Sequence, residues 1–251
     1  MGFMDFLFNK ERAEERRLAK LKKTLTHMYV QAAERQYAIE TLREMGTPEA
    51  VRVLLARFGV ASQNTTTDAD EKELVYAVLV DMNKIPDLDI PAIVIDWLKK
   101  AEEKVNWPLR VLTDLLTYEE MTQVVIDLLA DCETGYQRNP EKKQELILRA
   151  AEFKSPELAE QIVRFLEDDN ETIRFLAVDS ALAQEEPELV REPLTRRLVE
   201  EESLRIVQKL GEVFSDRPEW KIDEEQRQEV EIALPDEYGI HKDGHVYRKR
   251  S

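Results

Sequence analysis

Residues 154–182 read KSPELAEQIVRFLEDDNETIRFLAVDSAL. This stretch divides into a helical pattern, a short acidic break and a second helical pattern. Leu158, Ile162 and Phe165 recur at a spacing of three or four, and so do Ile173, Ala177 and Ala181. That spacing puts each trio on one face of a helix. Ser155 caps the first helix with a side-chain oxygen, Pro156 takes the first helical position, and Glu157 lies in the first turn, where the helix dipole favours it. Asp168 to Asn170 supply the turn and cap of the second helix. The stretch therefore reads as the second helix of one unit joined to the first helix of the next.

The same turn recurs elsewhere in the chain. Met45-Gly46-Thr47-Pro48-Glu49-Ala50-Val51 and Gln184-Glu185-Glu186-Pro187-Glu188-Leu189-Val190 repeat it, and Leu116-Thr117-Tyr118-Glu119-Glu120-Met121 repeats it without proline. Amphipathic stripes lie between these turns, for example Ala38, Leu42 and Met45, then Val51, Leu55 and Phe58, then Met121, Val125 and Leu128. Pairing consecutive helices gives five units, roughly 30–59, 71–102, 106–133, 141–168 and 170–201, with a partial sixth over 202–214. Their start-to-start distance, about 30–40 residues, is that of helical repeat arrays, in which no single unit buries its apolar face alone.

The segment Asp168-Asp169-Asn170-Glu171-Thr172-Ile173-Arg174-Phe175-Leu176-Ala177 resembles the repeat start of bacterial HEAT-repeat proteins, acidic-x-Asn/Asp-x-x-Val/Ile-Arg-x-x-Ala. Ser180-Ala181 departs from that pattern, which has Ala-Leu there. Arg35 to Val51 resembles the later part of the same repeat. The resemblance implies an all-α fold, a right-handed α-solenoid of about five to six HEAT-like helix pairs. Pro48, Pro156, Asn170, Arg174, Ala177 and Ala181 are its structural repeat positions. Ala177 and Ala181 are small where helices approach closely, and Arg174 is placed to tie one unit to an acidic residue of a neighbouring turn. The second helices of such units line a concave side, where Arg52, Arg57 and Arg164 become candidate partner-binding residues.

Net charge is −16 over 251 residues, unevenly placed. Residues 1–23 carry +3, residues 241–251 carry +3, and the body between them holds 25 Lys/Arg against 47 Asp/Glu, or −22. A body of that sign repels phosphate backbones, so nucleic acid is excluded as a partner; the charge reads as solubility of a long helical surface, with attraction to a protein of basic surface as the sharper alternative. No apolar run reaches the length needed to span a bilayer, and residues 1–23 show no secretory signal. The single cysteine, Cys132, forms no internal disulfide. The sequence thus predicts a reduced, cytoplasmic protein.

Two connections exceed the usual 2–8 residues of helical arrays. They are the threonine-rich 59–70 and the segment 131–140, both joining one unit to the next. A regular array predicts that they project from one rim. Tyr136 and Arg138 are the residues there best suited to a partner.

At one end, Phe3, Phe6, Leu7 and Phe8 precede a basic run. The sequence predicts a capping segment over 1–29, with a peripheral membrane contact through 1–23 as the alternative. The repeats then occupy 30–214. At the other end, residues 215–251 predict a helix over 223–234 and a hairpin at Asp243-Gly244. A two-residue turn there sets His241 opposite Val246 and Lys242 opposite His245, which points the two histidines to opposite faces and predicts no metal site.

No glycine-rich phosphate loop, paired-cysteine motif or nucleophile elbow is present, so the sequence predicts neither a catalytic residue nor a cofactor. Of the HEAT-like enzymes, one that removes alkylated bases from DNA needs a basic groove, which the acidic body denies. One that attaches bilin chromophores remains an alternative. The reading that follows is a non-catalytic protein-interaction scaffold.

Overall fold

A computed structural model describes residues 3–62 and 64–249, with side chains from residue 11 onward. Among the described residues the fold is all-α apart from one two-stranded hairpin. Two compact units divide the chain, residues 1–124 and 125–251.

The first unit contains α1 (Phe3–Thr26), α2 (Ala32–Met45), α3 (Pro48–Leu55), α4 (Thr65–Met82), α5 (Ile90–Lys100) and α6 (Asn106–Leu115). The helix α7 (Tyr118–Ala130) crosses the division. Side-chain caps set the starts of α3, α4, α5 and α7. Thr47 Oγ1 accepts from Ala50 N–H at 3.2 Å, and Asp89 Oδ1 accepts from Ala92 N–H at 2.9 Å. At α7, Thr117 and Glu120 form a reciprocal capping box, 3.2 and 2.9 Å. Helix α2 ends at Gly46, which holds φ +58, a conformation open to glycine.

Within this unit first helices pack on first helices and second on second. Helix α2 packs on α4 and α4 on α6, while α3 packs on α5. Helix α1, which holds most of the segment 1–29 expected as a cap, packs on α2 and α3. The side chains of Phe3, Phe6, Leu7 and Phe8 lie outside the described residues. Leu42, Leu54, Leu55, Leu79, Val94 and Leu98 form the core, all fully buried.

The threonine-rich stretch departs from its expected form. Asn64 Oδ1 accepts from Thr67 N–H at 3.0 Å and starts α4 at Thr65. Thr65, Thr66 and Thr67 are therefore the first turn of a helix rather than a projecting loop. The N-cap is worth about 1 kcal/mol and offsets part of the low helix propensity of the three threonines.

The second unit contains α8 (Glu141–Ala150), α9 (Pro156–Val163) prolonged by a 3-10 turn over Arg164–Glu167, α10 (Glu171–Ala183), α11 (Pro187–Glu200), α12 (Leu204–Ser215) and α13 (Arg227–Ala233). The strands β1 (Tyr238–Ile240) and β2 (Val246–Arg248) pair antiparallel with Ile240 opposite Val246. Ser155 Oγ accepts from Leu158 N–H at 3.0 Å, and Asn170 Oδ1 accepts from Thr172 and Ile173 N–H. Helix α10 packs on α8 and α9, and α11 on α9. Ala177 and Ala181 are fully buried in α10.

Ser180, the departure from the repeat pattern, has a structural reason. Its hydroxyl donates to the Ile147 carbonyl at 2.6 Å, and Gln184 donates to the Ala150 and Phe153 carbonyls at 3.1 and 3.0 Å. Ser180 of α10 and Gln184 at its C-cap thus hydrogen-bond carbonyls in the last turn of α8 and just beyond it.

The C-terminal segment expected as a cap packs on the preceding helices. Helix α13 packs on α11, and β2 on α12. Tyr238 lies against Gly211, where an added Cβ would meet the ring at 2.8 Å.

Candidate functional site

Buried ion pairs bind successive helix pairs in both units. In the first, the Glu71 carboxylate in the second turn of α4 takes Arg35 of α2 through Nε and Nη2, both at 2.8 Å, and Arg57 at 3.0 Å. Arg57 also reaches Asp68 at 2.7 Å. Burial alone would raise the Asp68 carboxyl, but Lys72, Arg57 and the Ser62 N–H outweigh it and lower its pKa to about 2.

In the second unit Lys143 of α8 meets Asp168 at 2.5 Å, with both side chains fully enclosed. Arg174 of α10 grips Glu201 with Nε and Nη2 at 2.8 and 2.7 Å, and its Nη1 donates to the Asp168 carbonyl at 2.8 Å. Arg197 Nε lies 3.2 Å from Glu201, an ionic contact without hydrogen-bond alignment. Burial would raise the Glu201 carboxyl, yet Arg174 and the Ser203 N–H hold it below its usual value. The pattern recurs with one variation: a cation in the first turn of one first helix meets a carboxylate just before the next first helix (Asp168, Glu201) or in its second turn (Glu71). Sequence reading found Arg174 but not Arg35, Lys143, Glu71, Asp168 or Glu201 in this role. The carboxylates were indistinguishable among 52 acidic residues.

Arg57 thereby leaves the set of partner-binding candidates. It is 1% exposed and saturated by Glu71, Asp68 and the Val60 carbonyl. It follows the end of α3, where the chain turns inward, and its guanidinium enters the core instead of a concave surface. Arg52 remains exposed and pairs with Glu49 of its own helix at 3.2 Å. Arg164 is exposed but partly committed, donating to Gln161 and to the Cys132 carbonyl at 3.2 Å.

The segment 131–140 is held at several points. Arg164 grips the Cys132 carbonyl, Asp169 N–H donates to the Thr134 carbonyl at 3.2 Å, and Lys143 Nζ donates to the Gly135 carbonyl at 3.3 Å. On this pinned loop Tyr136 stands 82% exposed, with Arg138 exposed two residues on. An exposed aromatic beside a guanidinium, just after the fastened residues 132–135, has the composition of an interface anchor. Cys132 points the other way. It is buried, its thiol donates to the Leu128 carbonyl at 3.3 Å, and burial raises its pKa, so it is no nucleophile.

The hairpin turn differs from its expected form. His241 N–H donates to the His245 carbonyl at 2.8 Å, and Gly244 N–H donates to the His241 carbonyl at 2.9 Å. The loop is therefore Lys242-Asp243-Gly244, three residues long, with Gly244 at φ +96. This geometry is the second commonest hairpin connection. One extra loop residue shifts the register and brings the histidines opposite each other on one face, correcting the expectation of opposite faces. Their rings stack with centroids 4.7 Å apart. Asp243 Oδ1 lies 2.9 Å from His241 Nδ1 and 2.7 Å from His245 Nδ1. Its carboxyl is held well below the usual range, chiefly by His241 and further by His245.

A groove of about 540 Å³ lies between α1 and α2, walled by Arg17, Lys20, Leu21, Thr24, Tyr37 and Thr41. No described helix is long and apolar enough to cross a membrane. No family model matches the chain, and no curated protein or solved structure matches it.

Proposed function

We propose that the chain is a non-catalytic protein-interaction scaffold, built as a right-handed α-solenoid of HEAT-like helix pairs. The recurrent cation–carboxylate bridge between successive first helices supports the repeat reading, because one connection serves three junctions: Arg35 to Glu71, Lys143 to Asp168 and Arg174 to Glu201. The same-type stacking of helices within each unit agrees with it.

The single observation that carries the functional reading is the pinned loop 131–140, which presents Tyr136 and Arg138 to solvent. The partner is a protein, and the acidic body favours one with a basic surface. Nucleic acid is disfavoured by the same charge. Affinity capture with the wild-type chain and with a Tyr136→Ala/Arg138→Ala variant tests this reading. The proposal expects a saturable partner whose recovery falls in the variant. Equal recovery by both proteins removes the loop from the account.

A further inference from the structure

We propose that the C-terminal hairpin is a divalent transition-metal site, with His241 Nδ1, Asp243 Oδ1 and His245 Nδ1 as its three protein ligands. These three residues offer ligand atoms that all lie within 4.8 Å of one another. Asp243 Oδ1 sits between the imidazoles, 2.9 and 2.7 Å from their Nδ1 atoms. Metal–nitrogen and metal–oxygen bonds run about 2.0–2.2 Å, so such N···O separations subtend about 90° at an ion, the angle of adjacent ligands in an octahedron. The two rings stack with their planes 23° from parallel, so both must turn to aim their Nδ1 lone pairs at one ion, which would take the space between them that Asp243 Oδ1 now holds.

Donor chemistry narrows the ion. Two imidazoles and one carboxylate suit borderline first-row ions such as Zn²⁺, Co²⁺ or Ni²⁺, whereas Ca²⁺ and Mg²⁺ demand mostly oxygen. The remaining coordination positions face solvent, since His241 and Asp243 are exposed and His245 is half-buried.

The backbone beneath the site is fixed in advance. Ile222 N–H donates to the Gly244 carbonyl at 2.8 Å, and Arg227 donates to the Lys242 carbonyl at 3.0 Å. An added Cβ at Gly244 would meet the Ile222 carbonyl at 2.7 Å, so the turn is clamped against the segment before α13. Lys221 approaches Asp243 from the other side, 3.7 Å from Oδ2, and leaves Oδ1 to the histidines. Lys221, Lys242 and Arg227 place positive charge nearby, which lowers affinity for a cation and predicts a micromolar rather than a nanomolar site.

Equilibrium dialysis of the untagged full-length chain against Zn²⁺ tests the site, with Co²⁺ absorption as a second readout of nitrogen ligation. His241→Gln, Asp243→Asn and His245→Gln test the ligands, and His27→Gln, the remaining histidine, serves as the control. Even the loss of an orienting partner typically weakens metal binding about 10- to 100-fold, so each ligand variant is expected to lose at least about tenfold. The control is expected to bind like the wild type. Far-UV circular dichroism checks that all variants keep their helices. No Zn²⁺ binding by the wild type, equal binding by a His241→Gln/His245→Gln double variant, or an equal loss in His27→Gln would each overturn the proposal.

Discussion

Replacing Glu71 by alanine removes the carboxylate on which two buried guanidiniums converge. Its side chain is 7% exposed, and Arg35 and Arg57 approach it within 2.8 and 3.0 Å. Arg57 keeps Asp68 and the Val60 carbonyl, and Arg35 keeps the Val30 carbonyl. Arg35 then has no carboxylate left. Breaking a buried pair from one side costs about 3–5 kcal/mol, and the surviving contacts put the expected value near the lower end. Unfolding entropy is about 2.1 cal/mol/K per residue, or about 0.26 kcal/mol/K over a unit of 124 residues. A loss of 3 kcal/mol therefore lowers the Tm of the first unit by about 12 °C.

Trp97 and Trp107 both lie in that unit, so a Trp220→Phe background isolates its fluorescence. Glu73→Ala is the internal control. Its pair with Arg110 is about half exposed on both sides, which makes it worth at most about 1 kcal/mol. A shift in Glu71→Ala no larger than in Glu73→Ala would refute the claim that these buried bridges tie one helix pair to the next.

Acid should act on the same cluster. Asp68 has a folded pKa of about 2 against an ordinary 3.8, so its stabilisation is present above the higher value and is lost as pH falls from about 4 to 2. Asp68→Asn should flatten the acid limb of the first unit's stability over that window, as read by the same fluorescence. Gly211→Ala should push the Tyr238 ring away from α12 and cost about 1–3 kcal/mol in the second unit, measured by thermal melting. An unchanged Tm would mean that the hairpin yields without loss. Cys132 should react with a thiol reagent much more slowly in the native chain than in urea, because the thiol is buried and its pKa raised.

The helices were legible because their signals are local. Thr47-Pro48, Ser155-Pro156 and Asn170 announce helix starts, and the apolar stripes name the buried faces. What escaped the sequence depends on pairing across distance. Glu71, Asp168 and Glu201 are three acids among many, and only the fold shows which ones face a cation. Arg57 looked like a surface residue by helix position, yet the turn after α3 carries it inward. The hairpin shows the same limit on a smaller scale. Asp243-Gly244 suits both a two-residue turn and the last two residues of a three-residue loop. The choice between them decides whether His241 and His245 meet or part.

The interaction reading concentrates on one side chain, and a photo-crosslinking amino acid at position 136 addresses it most directly. Installed in place of Tyr136 in cells, it should give a discrete cross-linked product under light. The same group at Leu148, which is exposed in the same unit, should not. A discrete product at 136 alone that weakens on adding Arg138→Ala is the predicted result. No product at 136, or the same product from both positions, would contradict the account.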